Sequence, residues 1–407
     1  SHPMRRALVL AAALIAAPAA AKDPTWTKTV VDPKFRSEGV AIADVNKDGK
    51  KDVLVGEIWY EAPDWKPHEM QKPGDYKDGM SNYSNVFACW ADDLNADGFP
   101  DLVVVGFPGA PAYWLENPRG VGTVDGKPTH WKKHVIWHSA CNESPQYADL
   151  LGSGKKVLVM GAQPKGKENE GQMAYFTPNP TDPAALWDMH PVSDPASGKA
   201  APGTHKFAHG LGVADVNGDG KLDVLTTGGW WEQPDKADGK TPWPWHPAGL
   251  GDGCADMFTL DVDGDGKLDV LSTSAHKYGI WWHKQRPAKD DKGHPTFEKR
   301  DLFPKLVSET HAAHFVDVDG DGLKDLVTGK RKYSHGLSEP DAAKQATIYY
   351  LKQGKPVDGV VPFTPTVIDE DSGIGTQFVV DDINGDGLPD VITSNKKGVF
   401  VIVQSKK

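Results

Sequence analysis

Along most of the chain, polar and apolar residues alternate with a period of two, over short stretches. No stretch of useful length carries the period of an amphipathic helix. The stretches follow a fixed order. A short alternating strand ends at an aspartate, an acidic turn follows, then a β-branched run such as DVLTT, then an aromatic strand. The aromatic strands read EIWYEAP, AYWLENP, GWWEQP, GIWWHKQ, TIYYLKQ and GVFVIVQ. Fourth strands follow in most units, as in HWKKHVIWH, FEKRDLF and TPTVIDE.

The unit recurs. DVNKDGKKDVLV starts at Asp44, DLNADGFPDLVV at Asp93, DVNGDGKLDVLT at Asp215 and DVDGDGKLDVLS at Asp261. DVDGDGLKDLVT starts at Asp317 and DINGDGLPDVIT at Asp382, while DLLGSGKKVLVM at Asp149 is a worn copy without the later carboxylates. The starts lie between 46 residues (Asp215 to Asp261) and 66 residues (Asp149 to Asp215) apart. Four strands per unit and seven units predict an all-β fold, a seven-bladed β-propeller. The last unit ends at VIVQSKK without a fourth strand, and WTKTVVD near the N-terminus has no unit of its own. That orphan is expected to complete the last blade and close the ring. An open β-solenoid would explain neither feature.

Residues 4–21 read as an export leader, with Arg5 and Arg6 before an apolar run and alanines at a cleavage site. Ser1 to Pro3 read as an expression scar, so 1–21 are set apart and 22–407 are expected to form one domain. The expected location is a bacterial periplasm or exterior. No other apolar run reaches membrane-spanning length, and a monomer is expected. Without the leader the formal charge moves from -11 to about -13, which argues against nucleic acid as a partner. Cys89, Cys141 and Cys254 allow at most one disulfide. Most of the fourteen tryptophans, Trp114, Trp230, Trp231, Trp281 and Trp282 among them, recur at one repeat position and read as packing, with one or two left as a sugar platform.

Six turns carry Asp-x-Asp/Asn-x-Asp-Gly-x-x-Asp, whose alternating oxygens suit Ca²⁺. The expected structural calcium ligands are Asp44, Asn46, Asp48 and Asp52; Asp93, Asn95, Asp97 and Asp101; and Asp215, Asn217, Asp219 and Asp223. They continue with Asp261, Asp263, Asp265 and Asp269; Asp317, Asp319, Asp321 and Asp325; and Asp382, Asn384, Asp386 and Asp390. An EF-hand is excluded, because its twelfth position needs Glu and here holds Val55, Val104, Thr226, Ser272, Thr328 or Thr393.

These units resemble the FG-GAP or VCBS repeats of secreted propellers, a resemblance that specifies fold and leaves function open. Similar propellers occur in adhesion proteins, lectins, polysaccharide lyases and sugar dehydratases. VTGKRKYSHG, DEDSGIGTQFVVDDINGDG and TSNKKGVFVIVQ resemble a bacterial subgroup similar to the propeller domain of aldos-2-ulose (1,5-anhydrofructose) dehydratase. That resemblance implies dehydration. The family's further cupin-like part has no counterpart before Lys407, so its isomerase step is expected to be absent.

Each acidic turn joins first and second strands, so the starts of the first strands gather at the opposite face around the channel. Six residues before each turn stand Glu38, Phe87, Glu143, His209, Ala255, His311 and Thr376. Asp252, Asp256, Ser84, Asn85, Asn142 and His205 lie close by, and Glu57, Gln163, Trp230, His276, Lys330, Arg331 and Lys396 end the second strands. The turns stay alike while this mouth differs from blade to blade, as a binding site would. At strand rise, mouth and turn lie roughly 15–20 Å apart and are separate sites.

No nucleophile elbow, P-loop, Rossmann fingerprint or zinc-protease helix is present. Histidines, carboxylates and cations suit proton abstraction beside a carbonyl, followed by β-elimination. The expected base is His209 or His311, with Glu143 as acid partner and Lys330 and Arg331 stabilising an enolate or carboxylate. Glu38, His205, Asp256, His276, Trp230, Gln163 and Lys396 are expected to contact a saccharide: a keto-sugar, 3-keto-glycoside or uronate-containing chain. His209, His311 and an acid would also suit an additional divalent metal at the mouth. Taken singly, His276 and His335 read as surface or packing residues. The alternatives are a non-catalytic carbohydrate-binding or adhesion propeller, and a glycoside hydrolase using Glu38 and Glu143.

Overall fold

The computed structural model describes residues 24–163, 171–251, 253–358 and 360–406; the expected leader and Asp252 lie outside them. Seven four-stranded antiparallel sheets form seven blades. Their first strands are Ala41–Ala43, Ala88–Asp92, Cys141–Ala148, Gly212–Ala214, Cys254–Leu260, Ala313–Val316 and Val379–Asp381, in blades 1 to 7. Neighbouring first strands adjoin one another around the axis. Among the described residues the single helical element is a 3₁₀ turn, Pro195–Ser197. No helix among them is long and apolar enough to cross a membrane.

The orphan strand closes the ring. Pro24–Asp32 pairs antiparallel with Gly398–Lys406, from Pro24↔Lys406 to Val30↔Phe400, as the outermost strand of blade 7. The core lies between blades, where alternation turns apolar side chains toward the adjacent sheet. Trp59, Trp114, Trp187 and Trp230 are among the largest fully buried side chains. No disulfide joins Cys89, Cys141 and Cys254, each of which lies buried in a different first strand.

The last aspartate of each acidic turn has a role that its spacing does not show. Asp101 accepts the N–H of Leu94 at 3.0 Å, inside its turn, and that of Asn117 at 2.8 Å, at the end of the third strand. Asp52, Asp223, Asp269, Asp325 and Asp390 repeat this pair of bonds. The residue so held then reaches across to the previous blade. Asn117 donates to the Val45 carbonyl, Gln233 to Leu150, Gln353 to Val262 and Gln404 to Val318. All six carboxylates therefore brace turn to blade, and Asp101, Asp223, Asp325 and Asp390 brace the blade junction as well. Burial pushes Asp101 and Asp223 up to about 7, against the pull of their backbone bonds.

Asp101→Ala strands two buried N–H groups, each costing about 1–3 kcal/mol, so a loss of about 2 kcal/mol or more is expected by chemical denaturation. Asp97→Ala, in the same turn but partly exposed, should cost clearly less. Equal losses would remove the bracing role.

Candidate functional site

Local backbone features shape the mouth. The first strand of blade 3 shifts register between Cys141 and Gln146, and this bulge carries Glu143. Bulges re-aim side chains and are common beside functional sites. Asn142 (φ 83), Glu309 (φ 60) and Tyr333 (φ 59) hold left-handed backbone at the same face, a strained conformation for non-glycine residues. Asn142 is fixed there by donating to the Gly203 and Gly210 carbonyls and accepting from the Ser144 N–H. At Gly375 any side chain would run into the carbonyl oxygens of Glu38 and Ser394, so glycine lets blades 7 and 1 meet.

Four blades deliver one cluster. His209 Nε2 lies 2.8 Å from His276 Nε2, and the three rings of His209, His276 and His311 have centroids 4.6 to 5.7 Å apart. One ring nitrogen from each lies within 4.8 Å of the other two. Glu143 Oε2 sits 3.2 Å from His311 Nε2 and 3.5 Å from His209 Nε2. Beside them the guanidinium of Arg331 donates to Glu38 at 2.6 Å and stands 3.9 Å from Glu143. On the open side, His335 stacks on His276 with centroids 4.5 Å apart, and Glu339 holds His335 at 2.6 Å and faces His276 Nδ1 at 3.7 Å.

The electrostatics follow from burial and charge. Burial pushes His276 down to about 2, helped by the neighbouring His311, His209 and Arg331. Burial likewise brings His311 down to about 4, although its bond to Glu143 pulls the other way. Both rings are therefore neutral at pH 7, with lone pairs to offer. Burial alone would raise Glu143, but the hydrogen bonds from His209 and His311 outweigh it and hold it well below the usual carboxylate range. Lys396 is brought down to about 8 by burial, opposed by Glu38 and reinforced by Arg331.

Several expected roles change on this geometry. Glu143 is held ionised, so it accepts a proton rather than donating one. His311 is 0% exposed and reaches no substrate directly. Lys330 is sealed against Glu309 at 2.6 Å and Ser308 at 2.8 Å and does not face the cluster. Glu38, 1% exposed and clasped by Arg331, is out of reach of a substrate, which removes the two-carboxylate hydrolase geometry. Trp230 lies in the core with its ring 4.4 Å from His246. Gln163 is buried and donates to the Thr204 carbonyl, and His205 is exposed. Asp256 faces Gln146 and the Ala313 N–H inside the channel, where burial pushes it up to about 7. Lys396 donates to the Tyr333 carbonyl and sits 4.2 Å from the Tyr83 ring.

Glu339, Glu309 and Tyr83 were missed, and His335 read as a surface or packing residue, because they lie in loops outside the repeated positions. A signal did exist in which histidines repeat. His68, His134 and His246 each lie against a tryptophan (Trp59, Trp114, Trp230), with ring centroids 4.3–4.4 Å apart, and bond a glutamate (Glu61, Glu116, Glu232) at 2.7–2.8 Å. His190 repeats this on Tyr175 and Thr177. Those four are blade packing, whereas His209, His276 and His311 have no repeat partners of this kind.

Residues 261–328 match the family described as FG-GAP-like repeat. The chain has no match among curated protein sequences. Among solved structures, it is similar to an Agrocybe aegerita lectin that recognises non-reducing terminal N-acetylglucosamine, at 15% identity and a TM-score of 0.45, over 95% of this chain and 96% of that one. The rhamnogalacturonan lyase YesW follows at 13% identity and a TM-score of 0.44, over 93% of this chain and 72% of that one. The V. cholerae biofilm matrix protein Bap1 has 15% identity and a TM-score of 0.33, over 74% and 45%. Likenesses this distant say nothing about what the mouth binds.

The depressed histidines set a sign for pH dependence. An unfolded histidine takes its proton near pH 6.5, while His276 and His311 stay neutral in the fold down to about 2 and 4. Between about pH 6.5 and 4 the unfolded chain binds more protons, so stability falls as pH falls through that window. Glu143, held low, adds a loss in the same direction at more acid pH. Denaturation midpoints with chelator present should therefore drop more from pH 7.5 to pH 5 in the wild type than in His276→Gln. An identical drop would contradict this electrostatic account.

Proposed function

We propose that the chain is an exported carbohydrate lyase or dehydratase that carries out β-elimination on a neutral keto-sugar or 3-keto-glycoside at the propeller mouth. The observation that carries this reading is the convergence of His209, His276 and His311 beside the ionised Glu143. A uronate is disfavoured, because Arg331, Lys330 and Lys396 are each already met by a protein oxygen. A lectin built on the repeat would offer similar pockets in every blade, and this mouth does not.

In this reading the substrate carbonyl faces the imidazoles, which makes the adjacent C–H acidic. Glu143, nearly buried but still 8% exposed beside those rings, takes the α-proton, and the electrons move toward the carbonyl oxygen. The bond to the β-oxygen then breaks, and His335, backed by Glu339, protonates the departing oxygen. The hydrogen bonds from His209 and His311 keep Glu143 ionised, and Arg331 stands 3.9 Å from it. The three imidazoles fit a divalent transition cation: two ring nitrogens face each other at 2.8 Å and Nδ1 of His311 has no partner. When bound there, such a cation supplies Lewis-acid polarisation of the carbonyl.

Calcium is proposed at the acidic turns, as a structural ion. The fit differs between blades. In blades 5 and 6, Lys284 reaches Asp263 and Asp265, and Lys352 reaches Asp319 and Asp321, so an ammonium already balances those carboxylates. Blades 1, 2, 4 and 7 carry Asn at that second position and have no such third-strand lysine, which makes them the better fit.

Two outcomes are expected. Turnover of a keto-glycoside gives a product absorbing in the enone region, and His209→Ala or Glu143→Gln lowers kcat by about 10²–10⁴-fold; full turnover in both variants would refute the assignment. Chelation followed by added Ca²⁺ should lower and then restore the melting temperature of Lys284→Ala and wild type alike; an unchanged melting temperature would remove calcium from the account.

A further inference from the structure

A groove of about 560 Å³ leaves the mouth and runs outward between blades 1 and 2. Asn85 and Phe107 stand at its inner end, Glu57 and Tyr113 follow, and Lys133 and Val135 lie on the outermost strand of blade 2. It is separate from the histidine cluster but joined to it by aromatic rings. Phe107 packs on Tyr83 at 5.6 Å, on Phe87 at 5.7 Å and on Phe207 at 5.8 Å between centroids. Tyr83 in turn stands beside Lys396 at 4.2 Å and Arg331 at 5.9 Å.

Two features suit a ligand rather than packing. Phe107 and Phe207 are 36% and 48% exposed, although each is a large apolar ring in a cluster. Lys133 holds its ammonium 3.6 Å from the Tyr113 ring centroid, and among the described residues no carboxylate lies within ion-pair reach of it. Its N–H donors are thus held in place over an aromatic face and left for an outside acceptor. Glu57 is already engaged by the Tyr76 hydroxyl at 2.6 Å and the Gly74 N–H at 2.7 Å, which fixes the carboxylate at the groove without spending all its lone pairs. Aromatic faces with fixed polar groups at their edges match a sugar ring, which shows C–H groups on its faces and hydroxyls around its rim.

We infer that this groove is a second sugar subsite, and that the ligand is a saccharide of at least two rings whose far ring lies on Phe107 within reach of Lys133. Only the placement of the near ring at the histidines rests on the proposed lyase reading; sugar binding in the groove stands without it.

Calorimetry with glucose, four glucobioses (maltose, cellobiose, laminaribiose and gentiobiose) and p-nitrophenyl β-D-glucopyranoside tests this. At least one glucobiose should bind about tenfold or more tightly than glucose to the wild type. Phe107→Ala and Lys133→Met, both at partly open positions, should each remove most of that gain. Glu143→Gln, at the histidines and outside the groove, should keep it; a wild type that binds disaccharides but gives no enone product from a keto-glycoside sinks the lyase reading and leaves the subsite standing. Glucobioses that bind no better than glucose, or a gain that survives both groove variants, would overturn the subsite. A gain confined to the nitrophenyl glucoside would overturn its assignment to sugar.

Discussion

The pairing of Arg331 with Glu38 is the constraint on which the mouth depends. A guanidinium that is 2% exposed and a carboxylate that is 1% exposed can persist there only as partners, because either one alone would be a bare buried charge. The pair spans from blade 6 to blade 1, across blade 7, which contains the first and last described strands. It therefore locks the ring at the channel, while the pairing of Pro24–Asp32 with Gly398–Lys406 locks it at the rim. The same guanidinium faces Glu143 of blade 3, and its positive field helps to keep His276 and His311 neutral. Remove it, and the carboxylates lose their counter-charge while the histidines lose a reason to stay unprotonated.

Two kinds of chemistry occupy the two ends of the first strands. At one end repetition is strict, since every acidic turn must brace its own blade through an aspartate such as Asp52 or Asp390, and four of them also tie it to the previous blade. At the other end each blade contributes something different: Glu38, Tyr83, Glu143, His209, His276, Arg331 and Lys396 come from or lead into successive blades. A ring of near-identical sheets thus makes a rigid frame around an asymmetric centre, which is what a site with several distinct tasks needs.

The fold was legible because it rests on short-range spacing. The Asp-x-Asn-x-Asp-Gly pattern, the aromatic strands and the orphan WTKTVVD are all local, and the structure has the strands where they predict them. The site was legible only where it shares that spacing. Glu143, His209 and His311 stand six residues before their turns and could be gathered by counting. His276 was gathered as a strand end yet reads alone as packing, and it proves central because loops bring it onto His209. Adjacent residues split in ways that counting cannot see: Lys330 turns to Glu309 while Arg331 turns to Glu38. Nor does spacing report charge state, and the histidine bonds that hold Glu143 ionised come from two other blades. Trp230 failed for the opposite reason, since it sits at a repeat position and packs as its counterparts do.

The central claim is that function lies in the histidine cluster at the mouth and not in the conspicuous acidic turns. Crystals soaked in Zn²⁺ or Mn²⁺ and measured at the metal's absorption edge test it most directly. The account predicts an anomalous peak within about 2.0–2.3 Å of nitrogens from His209, His276 and His311. Peaks confined to the aspartate turns, with the three rings left empty, would contradict it.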